Sequence, residues 1–100
     1  MLEAAQVNTN GFGLRCLVEH VKMEDILERY PEGRMEGFDE PERGYDQDEV
    51  GFVDRDTGEE FYVYARWGRV RIGGHGQGVS AVVQRLACKL QAEFGLVNTV

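Results

Sequence analysis

The chain has 100 residues, of which 42% are apolar and 29% are charged, and its formal net charge is −7. This length and composition indicate a single globular domain over residues 1–100 and exclude a disordered chain. The negative charge argues against non-specific binding to nucleic acid or anionic membranes as the main activity, since both require a positive field.

We predict a cytoplasmic protein that does not enter a membrane. No apolar run approaches the ~20 residues of a membrane span, and the first residues lack the basic start and apolar stretch of a secretory signal. The two cysteines, Cys16 and Cys88, form neither a CxxC motif nor a zinc-binding spacing. We therefore expect two reduced thiols and no metal site.

The first part of the chain predicts a strand and a helix after a loose N-terminal lead-in over residues 1–11. A half-buried strand is indicated because apolar residues recur at every second position, at Phe12, Leu14, Cys16 and Val18. The spacing then changes to that of one helix face, at Met23, Ile26, Leu27 and Tyr30. The predicted helix covers 21–30 and ends before Pro31.

Residues 31–49 are strongly acidic, with eight carboxylates against two arginines and hence a charge of −6. We predict an acidic loop that is long for a compact domain and therefore either functional or mobile. If it is functional, it presents carboxylates to a basic surface of a partner protein. The candidate partner-binding residues are Glu36, Asp39, Glu40, Glu42, Asp46, Asp48 and Glu49.

Three further strands are predicted at 50–54, 61–66 and 69–73. The sequences between them, Asp-Thr-Gly at 56–58 and Trp67-Gly68, have the composition of tight turns. The last two strands therefore form a β-hairpin.

A glycine-rich stretch at 73–78 leads to a second helix over 79–94, and Gly95 is suited to end it. The apolar stripe of this helix consists of Val79, Val82, Val83, Leu86, Leu90 and Phe94. The elements together predict an α+β fold, with a mainly antiparallel sheet of three to four strands and two helices packed on one face.

The back of the second helix carries three small residues within a narrow strip, Ala81, Cys88 and Ala92. Such a strip is either an ordinary solvated face or a surface that a second subunit approaches closely. The second interpretation predicts a homodimer through these residues.

The predicted hairpin has two chemically different faces. With a two-residue turn at Trp67-Gly68, paired residues have numbers that sum to 135, and pleating alternates their side chains between the faces. The apolar face carries Phe61, Val63, Ala65, Val70 and Ile72. The other face carries Tyr62, Tyr64, Arg66, Arg69 and Arg71.

Three arginines on one sheet face repel each other unless negative charge offsets them. They either bind an external anion, which would be a phosphate, a nucleic-acid strand or a carboxylate-rich partner, or are neutralised within the chain. The internal candidates are the acidic segment 31–49 and the cross-strand acids Asp54 and Glu60. Both interpretations remain open at this stage.

The glycine-rich stretch offers a third kind of site, because free N–H groups at a helix start bind anions. It lacks the lysine of a phosphate-binding P-loop, and His75 within it has no visible nucleophile as a partner. No nucleophile, base and orienting group come together in the sequence, so we predict no enzymatic activity and no cofactor.

We therefore expect a small acidic regulatory or inhibitory domain that binds a protein partner with a basic surface. The first alternative is nucleic-acid or phosphate binding through the tyrosine and arginine face of the hairpin. The second alternative is a small coenzyme-binding enzyme that uses residues 73–78.

Overall fold

The computed structural model describes residues 1–36 and 48–95. Within them the chain forms an antiparallel sheet of six strands and two α-helices. The strands are β1 (Leu2–Ala4), β2 (Gly13–Val18), β3 (Arg34–Glu36), β4 (Asp48–Asp54), β5 (Glu60–Arg66) and β6 (Arg69–Gly74), and the helices are α1 (Met23–Arg29) and α2 (Ala81–Phe94). The α+β prediction is confirmed, but the sheet is larger than the three to four strands expected.

The two additional strands share one edge of β4. The sheet has the order β1-β4-β5-β6-β2, and β3 also pairs with β4, next to β1. Gly51 lies where the two short strands meet, and its carbonyl accepts a hydrogen bond from the Ala5 amide at 2.9 Å. A Cβ at Gly51 would lie 2.2 Å from the Ala5 carbonyl oxygen, so this close approach of two backbones requires glycine.

The additional strands change two segments that were predicted as irregular. The predicted lead-in contains β1, and Arg55 donates a backbone hydrogen bond to the Met1 carbonyl at 2.9 Å. The predicted acidic loop begins with a 3₁₀ turn at Pro31–Gly33, continues into β3 and reaches β4 at Asp48. Its residues 37–47 lie outside the described part of the chain.

The β5–β6 hairpin has the predicted register. Each pair from Phe61 with Gly74 to Arg66 with Arg69 sums to 135. Both turn residues have positive φ, 52° at Trp67 and 72° at Gly68, which is the signature of a type I′ turn. This turn matches the twist of the paired strands and therefore fixes the register.

The prediction that the apolar residues of β2 all lie on one face of the sheet is wrong. Leu14 pairs with Gly73 and Cys16 with Ile72, so the register shifts between them at Arg15. Because adjacent residues of β6 point to opposite faces, this β-bulge places Leu14 and Cys16 on opposite faces as well. The extra residue leaves Leu14 half exposed while Val18 enters the core.

Both helices pack on the same face of the sheet, which we call the core face. Its centre includes the fully buried side chains of Val50, Phe52, Phe61, Val63 and Ile72. From the helices, Met23, Ile26, Val83, Leu86 and Leu90 join the same cluster. The predicted stripe of α2 is wrong at Val79, which is 59% exposed because it precedes the N-cap residue Ser80, whose side chain accepts a hydrogen bond from the Val83 amide.

No helix in residues 1–36 and 48–95 is long and apolar enough to cross a membrane.

Candidate functional site

The face opposite the core carries Tyr62, Tyr64, Arg66, Arg69 and Arg71, as predicted, and is called the arginine face below. Its aromatic rings form a short stack along the sheet. The rings of Phe12 and Tyr62 lie 5.5 Å apart, and those of Tyr62 and Tyr64 lie 4.5 Å apart at an interplanar angle of 14°. Tyr64 is 8% exposed, so the stack is a packed surface rather than a pair of separate rings.

Gly73 makes room for this stack. A Cβ at Gly73 would lie 2.1 Å from Cε1 of Tyr62, so the ring lies directly over the glycine backbone of the neighbouring strand. Gly74 has the corresponding role on the core face, where its missing Cβ accommodates Phe61. Both glycines belong to strand β6, whereas the sequence placed them in the glycine-rich stretch 73–78 that leads to the second helix.

Trp67 projects from the tip of the hairpin at the end of the arginine face. Its side chain is 63% exposed, and its φ of 52° is unusual for a bulky residue. The Arg66 guanidinium carbon lies 4.0 Å from the centre of the indole, and that of Arg71 lies 5.8 Å away. The tip therefore presents an exposed aromatic ring next to two cations.

Two arginines of this face have no carboxylate partner among the described residues. Arg69 faces Arg66 directly across the hairpin, an arrangement that costs free energy through like-charge repulsion. Neither Arg69 nor Arg71 forms an ion pair with residues 1–36 or 48–95, and the buried Nε of Arg71 has no hydrogen-bond acceptor there. Tyr62, Tyr64 and Arg66, in contrast, are all engaged in interactions.

Arginines elsewhere in the chain do contact acids. Arg34 contacts Asp48 at 2.5 Å, Arg55 contacts Glu3 at 2.7 Å, and Arg85 lies 3.6 Å from the Asp54 carboxylate. Within residues 1–36 and 48–95, the lack of such contacts at Arg69 and Arg71 is therefore a local property of the hairpin tip.

Glu49 is an acidic residue with little exposed surface on the same face. It follows Asp48 in β4, pairs with Met35 of β3, and the β4–β5 register continued by one residue places it beside Tyr64. Its side chain is 9% exposed and makes no hydrogen bond or ion pair with the described residues. Burial raises the pKa of the Glu49 carboxyl above its usual value because no donor compensates for the lost water.

The predicted acidic partner-binding residues are in very different environments. Glu36 is exposed at the end of β3, Asp48 is bound to Arg34, and Glu49 is buried. The remaining four, Asp39, Glu40, Glu42 and Asp46, lie outside the described residues. Of the three predicted partner-binding acids that are described, only Glu36 is both exposed and outside the ion pairs.

The two cross-strand acids do not neutralise the arginine face. Asp54 is on the core face and fully buried, where the Met1 ammonium lies 3.1 Å from one carboxylate oxygen and Thr57 Oγ1 donates to the other at 3.0 Å. Burial alone would raise the pKa of Asp54, but these hydrogen bonds outweigh it and lower the pKa below its usual value. Glu60 is exposed and forms no ion pair with the described residues.

Arg15, the bulge residue of β2, holds the loop that follows β6. Its Nε donates to the Gly78 carbonyl at 2.8 Å, and its guanidinium also donates to the His75 carbonyl. The His75 ring packs edge-on against Phe12 at 4.6 Å. The loop is thus organised by its carbonyl groups around an internal cation, which is not the arrangement of an anion-binding glycine loop.

The described residues contain no group of three or more metal-ligating side chains. A groove of about 630 Å³ lies on the core side of the tip, where apolar Met23 and Val70 mix with charged Lys22 and Asp48. Ala81, Cys88 and Ala92 are exposed on α2, so the homodimer interpretation stays a prediction.

Sequence reasoning missed three residues of this region. Trp67 was assigned only to a turn, although it is the one tryptophan of the chain and a turn exposes its side chain. The sequence did not indicate that Arg15 and Glu49 are buried. The burial of Arg15 depends on the bulge in β2 and that of Glu49 on strand β3, and neither feature was predicted.

Comparisons give no relative for this chain. No protein-family model, no curated protein and no solved structure matches it.

Proposed function

We propose that the domain is a non-catalytic protein-interaction module that binds an acidic segment of a partner at the hairpin tip. The observation that carries this proposal is the lack of any carboxylate partner for Arg69 and Arg71 within residues 1–36 and 48–95. The chain has 18 acidic and 11 basic residues, so acids are abundant, and three other arginines contact them.

The buried donor of Arg71 has an energetic consequence. A buried donor left without an acceptor costs about 1–3 kcal/mol, and the Nε of Arg71 has no acceptor among the described residues. A carboxylate from a partner would satisfy this donor. Arginine and carboxylate also match geometrically, since the guanidinium offers two parallel N–H donors.

A protein segment fits this surface better than nucleic acid. Tyr62 and Tyr64 are stacked on each other, so neither offers two free ring faces to a base. The net charge of −7 repels a polyphosphate chain more strongly than a short peptide. An exposed tryptophan flanked by arginines has the composition of an energetic centre in protein–protein interfaces.

A second candidate keeps the acidic segment as the binding surface for a basic partner. The exposed carboxylates of Glu32 and Glu36, at the described start of this segment, support it. Both candidates are protein-interaction modules, and they differ in the sign of charge on the partner.

The fluorescence of Trp67 provides the test, because this side chain lies in the site and no other tryptophan contributes. Titration with a short glutamate-rich peptide is expected to shift the emission saturably, and added salt is expected to weaken binding. The double variant Arg69→Gln/Arg71→Gln is expected to weaken binding at least about tenfold, equivalent to about 1.4 kcal/mol.

The matched control is Arg55→Gln, which removes one arginine charge at the opposite end of the sheet and should leave the affinity nearly unchanged. Binding of a lysine-rich peptide but not of the glutamate-rich one would support the second candidate instead. Arginine-dependent binding of a single-stranded oligonucleotide in preference to the glutamate-rich peptide would contradict the proposal.

A further inference from the structure

Strand β2 is at one end of the strand order, so one of its edges has no neighbouring strand within residues 1–36 and 48–95. In a hairpin with a two-residue turn, the residues next to the turn form a hydrogen-bonded pair, and so does every second pair after it. Arg71 and Tyr64 are such a pair, so the backbone N–H and C=O of Arg71 point to β5. Leu17 pairs with Arg71 from the other side, and its backbone N–H and C=O therefore point away from the sheet.

The side chains of β2 do not block this edge against a further strand. Natural edge strands are commonly protected by lysine or proline, and β2 contains neither. Its charged residue, Arg15, is almost buried because it binds carbonyl groups of the loop after β6. Leu14 and Leu17, which share the arginine face, are 50% and 37% exposed. The bulge at Arg15 limits the regular part of the edge to residues 16–18, next to the hairpin tip.

The surface beside this edge is positively charged. Arg69 is exposed and forms no ion pair with residues 1–36 or 48–95. A recess of about 90 Å³ at the end of β2 is lined by Leu17 and Arg69 among other residues, so this arginine lies at the edge itself. The edge therefore combines backbone groups available for strand pairing with a cation suited to an acidic side chain.

We propose that the acidic segment of the partner binds as an extended strand that pairs with β2 at Leu17 and adds a seventh strand to the sheet. This inference rests on the proposed function and specifies the conformation and the position of its ligand. Because side chains alternate along a strand, every second residue of the segment lies on the arginine face. An acid at such a position contacts Arg69, while main-chain hydrogen bonds to β2 supply affinity that does not depend on sequence.

The test uses three peptides that differ only in the methylation of backbone amides. The parent peptide alternates glutamate and threonine, one derivative is N-methylated at every glutamate, and the other at every threonine. Adjacent N–H groups of a strand point to opposite sides, so only one of the two sets faces β2. In the Trp67 fluorescence titration, one derivative is expected to bind at least about tenfold more weakly than the parent. The other derivative is the matched control and should bind nearly as tightly as the parent.

Hydrogen exchange of the wild-type domain locates the added strand. At saturation with the parent peptide, the Leu17 amide is expected to exchange at least about tenfold more slowly, because it gains an acceptor. The amide of Glu36 in β3, at the opposite edge of the sheet, is the control and should keep its rate. Unchanged exchange at Leu17, or protection of Glu36 instead, would overturn the inference.

The remaining outcomes separate this inference from the proposed function. Equal affinities of the three peptides, or equal losses for both derivatives, would overturn the inference. Binding of the glutamate-rich peptide but not of the alternating one would do the same. In each of these cases, binding that still depends on Arg69 and Arg71 leaves the proposed function intact. If neither the alternating peptide nor the glutamate-rich peptide binds, the proposed function itself fails.

Discussion

The two carboxylates near the ends of β4 are both buried, but they differ in their partners. Burial alone would raise the pKa of Asp54, but hydrogen bonds from the Met1 ammonium, Thr57 and the Asp56 amide lower it below its usual value. Glu49 has no donor among the described residues, and burial raises its pKa. The charge of Asp54 is thus compensated by groups of the described chain, whereas Arg69 and Arg71 on the arginine face have no carboxylate partner within residues 1–36 and 48–95.

The largest predicted effect is a loss of stability caused by a substitution on the core face. Phe61→Ala removes a ring that is almost fully buried in the hydrophobic core, and we expect it to lower the free energy of unfolding by about 3–5 kcal/mol. Trp67→Ala, on the arginine side, should change it by less than about 1 kcal/mol because its ring is mostly exposed. Urea denaturation of both variants measures this contrast, and equal losses would show that the tip is part of the structural core.

The second prediction concerns Asp54, the carboxylate at the C-terminal end of β4. Asp54→Asn should destabilise the domain at neutral pH, because it removes the charge that the ammonium of Met1 and Arg85 compensate. Since the pKa of Asp54 is lower in the folded state, its contribution is present above its unfolded pKa. It is lost as the pH falls below about 4, where the free carboxyl protonates.

Unfolding of wild type and Asp54→Asn across acidic pH tests this expectation. The two stability curves should differ at pH 7 and converge in strong acid. Glu59→Gln, which removes a nearby exposed acid, is the control and should follow the wild-type curve. A constant difference between wild type and Asp54→Asn at all pH values would contradict an electrostatic role.

The third prediction tests the packing of the arginine face. Gly73→Ala brings a methyl group into the ring of Tyr62, and the required shift should cost about 1–3 kcal/mol. In a Tyr62→Ala background the same substitution should cost much less, because the ring that causes the clash is absent. A double-mutant cycle by chemical denaturation measures the coupling, and additive effects would show that the ring does not pack on Gly73.

The parts of the fold that follow local rules were predictable. The turn chemistry of Trp67-Gly68 and the alternation on both sides of it determine the hairpin register, and hence the five residues of the arginine face. The helices followed from their spacing, although both begin two residues later than predicted and the first ends one residue earlier. The strands β1 and β3 were missed because three residues are too few to show a period.

The errors in the candidate site have a common physical origin. The bulge at Arg15 adds one residue to β2 and thereby reverses the faces of Phe12 and Leu14 relative to Cys16. No sequence pattern predicts this bulge. The burial of Glu49 depends on its pairing with Met35 in the missed strand β3. Asp54 was expected near the arginines, although alternation along β4 places it with Val50 and Phe52 on the core face.

The smallest predicted effect is a gain of stability. It concerns Glu49 and is opposite in sign to the loss expected for Asp54→Asn. Glu49→Gln should stabilise the free domain at neutral pH by on the order of 1 kcal/mol, because a neutral amide costs less to bury than an unpaired charge. Since the pKa of Glu49 is higher in the folded state, its penalty develops as the pH rises above about 4.3, where the unfolded chain ionises first. The gain should therefore be absent in strong acid and full at neutral pH, and Glu60→Gln should show no such gain. Loss of stability in Glu49→Gln at neutral pH would mean that the charged form of Glu49 is already compensated within the chain.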